Sequence, residues 1–269
     1  MASGTNAWTA NTHTAYTVTT AGPTGFLNFL PAFVDHLLYA TITDEGFTTE
    51  VFHVNGKGQD AGVVYSEMQG RENGADDLME LRTQRLLYPK SSGYRSETGG
   101  LMDALRELSA QQIRDYHGAN YVPHNLNIIV TGHVDPRALL AKLEDEVEPS
   151  IRQHGQAHGP HPPGWKRPWI ETSSAAPPTI AEGGVSETVP FPERDESSGQ
   201  WQGTWIGPPF EDQLTAQALD VLALYLGDSA VSPLYKELIE IEEPVCTGPS
   251  PSRWRCLTAQ TSTSTRPRR

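Results

Sequence analysis

The sequence predicts an α+β fold: a largely antiparallel sheet with helices packed over one face. Three observations carry this. Residues 14–20, TAYTVTT, alternate Tyr16 and Val18 against threonines, the two-residue period of a half-buried strand. Phe26, Phe29, Leu30, Phe33, Leu37 and Leu38 recur at helical spacing. The apolar run 126–131, LNIIVT, is followed directly by Asp135-Pro136 and a second helical stripe, Leu139, Leu140, Leu143 and Val147.

Taken in order, Asn6-Ala7-Trp8-Thr9 extends or pairs with the strand at 14–20, and Gly22-Pro23 is a turn. The first amphipathic helix follows, with Pro31 near its start or at a kink. Residues 47–54, FTTEVFHV, form a short extended candidate before a turn at Asn55–Gly58. Residues 60–72, DAGVVYSEMQGRE, read as one helix with Val63, Val64 and Met68 on the buried face and Glu67 at its edge. A carboxylate there is costly unless a cation, a metal or a donor meets it.

A second periodic run carries Leu78, Leu81, Leu86 and Leu87, with a break between the two helices near Gly70 and Gly74. The loop Tyr94–Gly100 has the polar, glycine-rich character of a substrate-facing segment and equally of a plain helix connection. Ser109 with Gln112 three residues on writes a capping box. Residues 151–182 read as a linker rich in Pro, Gly, His and Ser. Beyond it come a strand at Trp201–Ile206, a helix from Asp212 to Leu226 and a short helix over Pro233–Ile241. Residues 246–269 lack periodicity and read as a disordered, aberrant tail.

The net charge of −13 argues against nucleic acid and against a polybasic membrane surface. Five arginines and no acid after Gly248 leave the preceding residues at −18. Two cysteines, Cys246 and Cys256, write neither a disulfide framework nor a CxxC metal site. No apolar run reaches the roughly 18 residues of a membrane span. The first residues form neither a secretory signal nor an arginine-rich presequence, so the expected location is intracellular, cytoplasmic or mitochondrial, without a targeting signal in this stretch.

Four motifs then stand in order. Asn6-Ala7-Trp8-Thr9, Gly62–Gly70 (GVVYSEMQG), Tyr121-Val122-Pro123-His124-Asn125 followed by NIIVTGHVDP, and Ser232-Pro233-Leu234-Tyr235-Lys236-Glu237-Leu238 together resemble the insulinase/pitrilysin/presequence-protease (M16) family of zinc metallopeptidases, presequence-protease-like branch. The resemblance covers roughly residues 5–245 and implies an M16-type (LuxS/MPP-like) domain. Residues 1–150 would be the first such domain without its first strand and zinc helix, and 183–245 the start of a second, so the chain reads as truncated at both ends. It implies further that Glu67 is the distal zinc ligand, that Asp60 is an acidic group behind the metal shell, and that Asn6, Ala7 and Trp8 lie on an edge strand pairing with a peptide substrate.

In such proteins an HxxEH helix supplies two histidines and the general base, leaving a fourth zinc position for water. No HxxEH occurs in these 269 residues. The expectation is a fragment of a zinc metalloendopeptidase, inactive as written and binding no zinc tightly, with no catalytic residue of its own. The alternative is a non-catalytic scaffold or peptide-binding subunit. His154, His158 and His161 read as solvated linker histidines, and His13, His36, His53, His117, His124 and His133 as scattered surface or interface groups.

Overall fold

A computed structural model describes residues 3–158, 177–194 and 199–248. The chain divides into two compact units, one of Met1–Asp77 with Ser96–Thr172 and one of Leu78–Arg95 with Ser173–Arg269.

In the first unit, β1 (Ser3–Thr9) and β2 (Thr14–Thr20) form an antiparallel hairpin in which Ala7 faces Tyr16 and Trp8 faces Ala15. Helix α1 (Pro23–Leu38) starts after Gly22, whose φ of 81° lies in the left-handed region, and takes Pro23 at its first turn. It buries Leu30, Val34 and Leu38, and Val147 completes that cluster. Val34 is a core residue the aromatic-weighted stripe passes over. Phe29 stays partly in solvent and leans on Phe33, ring centres 5.5 Å apart.

The expected extended segment at 47–54 is mostly helical: α2 covers Asp44–Glu50, and only β3 (His53–Val54) is extended. The reason is local. Thr43 caps the helix by accepting from the Gly46 amide at 3.0 Å, and Asp44 and Glu45 sit in its first turn. Thr48 and Thr49 bond back to the carbonyls of Asp44 and Glu45, which accommodates β-branched hydroxyls in a helix. The Asn55–Gly58 turn is present, with the Asn55 side chain accepting from the amides of Lys57 and Gln59. It returns the chain as β4 (Asp60–Ala61).

Residues 60–72 are therefore not one helix. Asp60 is paired opposite Val54, and α3 spans Val63–Arg71. Gly62 separates the two with φ 134°, and a Cβ there would lie 2.3 Å from the Val51 carbonyl oxygen. Only glycine fits so close an approach in that conformation. The buried face of α3 is Tyr65 and Met68, while Val63 is exposed. Phe52 and Leu105 join them in a second cluster. The break after α3 falls where the glycines place it, and α4 runs over Ala75–Leu87.

Helix α5 (Met102–Glu107) precedes α6 (Ala110–Asn120), and both capping-box bonds of Ser109 and Gln112 are present. Asp135 caps α7 (Pro136–Lys142) by accepting from the Arg137 amide at 3.1 Å. A π-helical turn, Leu143–Val147, leads into α8 (Glu148–His158). The expected linker thus begins as helix over 151–158; His161 and the side chain of His158 lie outside the described residues.

In the second unit, the Arg95 guanidinium donates to the carbonyls of Arg85 and Tyr88, closing the end of α4. Helix α9 (Gln213–Gly227) is capped by Asp212, and α10 spans Pro233–Leu238. Residues 246–248 lie within the described range and 249–269 outside it.

An α+β class with small antiparallel sheets is what the described residues show. They hold two two-stranded sheets rather than one larger sheet. The strands expected at 126–131 and 201–206 carry no ladder pairing; Ile129 and Trp201 are each 87% exposed. Their β propensity has no partner strand to act on here. No helix among the described residues is long and apolar enough to cross a membrane.

Candidate functional site

Glu67 projects from the solvent-facing side of α3, between buried Tyr65 and Met68. What the helix offers it is rigidity, through contacts on the opposite face. Tyr65, the largest fully buried side chain, donates its hydroxyl to Asp60 Oδ2 at 2.8 Å and accepts from Arg106 Nη2 at 2.6 Å. Arg106 Nε donates to the same Asp60 oxygen at 3.0 Å, and its Nη1 reaches Asp103 at 2.7 Å. The guanidinium carbon lies 5.3 Å from the centre of the Tyr65 ring.

The Tyr65 hydroxyl, followed by Arg106, holds the Asp60 carboxyl below the usual carboxylate range. Burial raises the Tyr65 phenol, and Asp60 adds to the effect. Farther along α3, a Cβ on Gly99 would meet the Met68 sulfur at 2.3 Å, so the 96–100 loop lies directly against the helix and a side chain at Gly99 would displace the Met68 thioether. Glu72 then accepts from the Met102 amide at 3.2 Å, tying the end of α3 to the start of α5. Arg71 is bonded to Asp77 at 3.0 Å; that bond raises it most, and the charges of Glu97 and Glu67 add to it.

Asp60 is therefore not on the glutamate's helix. It sits on β4, where its carboxylate accepts from Tyr65 and Arg106 and so ties β4 to the start of α3. Arg106 lies 46 residues from Asp60, and no local pattern in the sequence announces the pairing.

Asn6, Ala7 and Trp8 lie on β1, which pairs with β2 on one side only among the described residues. Trp8 is 47% exposed and donates through Nε1 to His13 Nε2 at 3.3 Å. The far end of this hairpin is joined to the loop that packs on α3: Asn11 Nδ2 donates to the Ser96 carbonyl at 3.1 Å. Tyr16 on β2 shares a 2.8 Å hydroxyl–hydroxyl bond with Tyr121 of the YVPHN motif, and burial followed by this bond raises its phenol. Three expected elements, the N-terminal strand, the glutamate helix and the YVPHN turn, thus belong to one unit.

The described histidines are dispersed. His36, His53 and His117 bond the carbonyls of Ala32, Thr48 and Leu37. Among the described residues, no three His, Cys, Asp or Glu side chains are gathered as a metal site. A single exposed carboxylate does not fit a zinc ion, which takes three or four protein ligands.

The domain described as "Peptidase M16 inactive domain" matches residues 107–249. An uncharacterized protein of Saccharomyces cerevisiae is 41% identical over 246 residues, covering 90% of this chain and 23% of that protein. An uncharacterized Schizosaccharomyces pombe protein is 41% identical over 242 residues, with the same coverage of 90% and 23%. The mitochondrial presequence protease of Mus musculus is 24% identical over 244 residues, 87% of this chain and 22% of that enzyme. The chain spans less than a quarter of the length of these relatives. With the matched domain covering more than half of its residues, the chain belongs to the M16 peptidase family, on its presequence-protease-like branch.

Proposed function

We propose that this chain is part of an intracellular M16-type zinc metalloendopeptidase, with Glu67 as one of the carboxylate and imidazole ligands of its metal. The observation that carries the reading is the presentation of Glu67. Its helix is fixed at Tyr65, Met68 and Glu72, while the carboxylate itself stays open to solvent. A metal ligand needs such a prepositioned, unspent carboxylate. The edge of β1 that is unpaired among the described residues, with Asn6, Ala7 and Trp8, fits a strand that takes up an extended peptide by backbone pairing. The zinc and its water would supply the hydrolytic chemistry in the longer polypeptide. This chain's own share is to place one ligand and to align the peptide.

The alternative, a non-catalytic scaffold or peptide-binding subunit, is favoured by the match of residues 107–249 to an inactive-type domain and by the missing HxxEH motif. The genomic sequence upstream of the Met1 codon separates the two. An in-frame HxxEH segment supports the peptidase, and its absence supports the scaffold. For the chain alone, the purified polypeptide dialysed against zinc should retain well under one equivalent by atomic absorption and cleave no peptide. Stoichiometric zinc that disappears in Glu67→Ala would overturn that expectation.

A further inference from the structure

The YVPHN turn aims one side chain. Tyr121 caps the C-terminal end of α6, its amide donating to the His117 carbonyl at 2.8 Å. Val122 is extended, with φ −126° and ψ 150°, as a residue before proline tends to be, and Pro123–Asn125 forms a single 3-10 turn. Asn125 folds back and donates through Nδ2 to the Asn120 carbonyl at 2.9 Å, covering one of the acceptors that a helix end leaves open. The backbone on both sides of Tyr121 is thereby fixed.

Its ring is held as well. Tyr121 stacks on His117, centres 4.3 Å apart and planes 18° from parallel, and His117 donates through Nε2 to the Leu37 carbonyl of α1 at 2.9 Å. From this support the phenol meets Tyr16 edge-on, centres 6.2 Å apart, and shares with it the 2.8 Å hydroxyl–hydroxyl bond. Tyr16 is the cross-strand partner of Ala7, the middle one of Asn6, Ala7 and Trp8.

We propose that Tyr121 is the positioning residue of the β1–β2 hairpin, fixing through Tyr16 the direction in which the β1 edge faces. The proposal rests on the reading of that edge as a peptide-pairing strand. The ladder between β1 and β2 sets the shape of the hairpin but not its orientation. Asn11 ties the tip to Ser96, and the chain itself ties the base to α1 at Gly22. Those two points define an axis about which a two-stranded ribbon can turn. The Tyr16 side chain stands off the strand, so its bond to Tyr121 acts away from that axis and stops the rotation.

Residual dipolar couplings of the amides of the full chain test this. In the parent, the couplings of β1 and β2 should fit one alignment with those of α1 and α6. In Tyr121→Phe, which keeps the ring on His117 and removes the hydroxyl, the hairpin couplings should leave that alignment and shrink, while α1 and α6 keep theirs. The amide shifts across the β1–β2 ladder should stay in place, which separates lost orientation from lost strand pairing. Tyr16→Phe should reproduce the effect, and the double variant should add nothing, because each change removes the same bond. Hairpin couplings that keep the common alignment in both single variants would overturn the proposal. A blocked peptide of alternating valine and threonine, titrated into parent and variant, tests the peptide reading separately. Shifts at Asn6, Ala7 and Trp8 that need about three- to ten-fold more peptide in Tyr121→Phe support the role in alignment, and equal affinity overturns it. Shifts absent from the parent overturn the edge reading and that role with it, while the couplings still decide whether Tyr121 holds the hairpin.

Discussion

Asp60 shows how a residue read as part of a helix can sit instead on the strand before it. Seven residues before Glu67, it would sit on the same helix if the segment were continuous. Gly62, with φ 134° and the Val51 carbonyl against its α-carbon, prevents that. The carboxylate instead meets the Tyr65 hydroxyl and the Arg106 guanidinium. Its depressed pKa has a thermodynamic consequence of definite sign. A carboxyl whose folded pKa lies below its unfolded value contributes stability above the unfolded value of about 3.9, and that contribution is lost as pH falls through the folded pKa. The urea midpoint of the parent chain should therefore exceed that of Asp60→Asn near pH 7, with the gap closing as pH falls below about 4. A gap independent of pH would show that Asp60 acts through packing rather than charge.

At the scale of elements, capped helix starts and the hairpin strand at 14–20 were legible, and the other expected strands were not. Ser109–Gln112, Asp135-Pro136 and Asp212 each write a cap in a few adjacent residues, and each is found in place. A strand needs a partner that the local sequence does not name. LNIIVT has strand composition yet has no partner strand among the described residues, and FTTEVF has strand composition yet follows the helix cap at Thr43. The site divides in the same way. The helix that carries Glu67 and the strand that carries Asn6, Ala7 and Trp8 were legible from their motifs, whereas the clamp of Tyr65, Arg106 and Gly99 depends on contacts across 30 to 45 residues. The capping box allows a direct check. Ser109→Ala removes the acceptor for the Gln112 amide and should cost about 1 kcal/mol in chemical denaturation. Ser109→Gly should cost only a few tenths, because glycine also tolerates the cap conformation. Equal losses in the two variants would place the effect outside the cap.

For the molecule as a whole, the distribution of buried apolar surface decides how the two units behave. Among the described residues, the two core clusters lie in the first unit, around Leu30, Val34, Leu38 and Val147 and around Tyr65, Met68 and Leu105. Among the described residues of the second unit, the buried apolar side chains are Leu87, Tyr88 and Ala223. Helix α9 is the clearest case: it buries Ala223 alone, while Leu214 is 83% exposed and Val221, Leu224 and Tyr225 are also in solvent. A helix apolar on several faces is stable when those faces are covered, since propensity alone holds a 15-residue helix only marginally. The relatives are more than four times as long as the stretch matched here, so ample chain exists in them to provide such cover. In the isolated polypeptide, α9 should exchange its amides at least ten-fold faster than α1, whose three buried residues anchor it. The chain should also bind a hydrophobic dye in proportion to this exposed surface and melt over a broad range rather than in one steep transition. Amides of α9 as well protected as those of α1, with no dye binding, would mean that the second unit finds its own cover in solution, for instance by pairing with another copy.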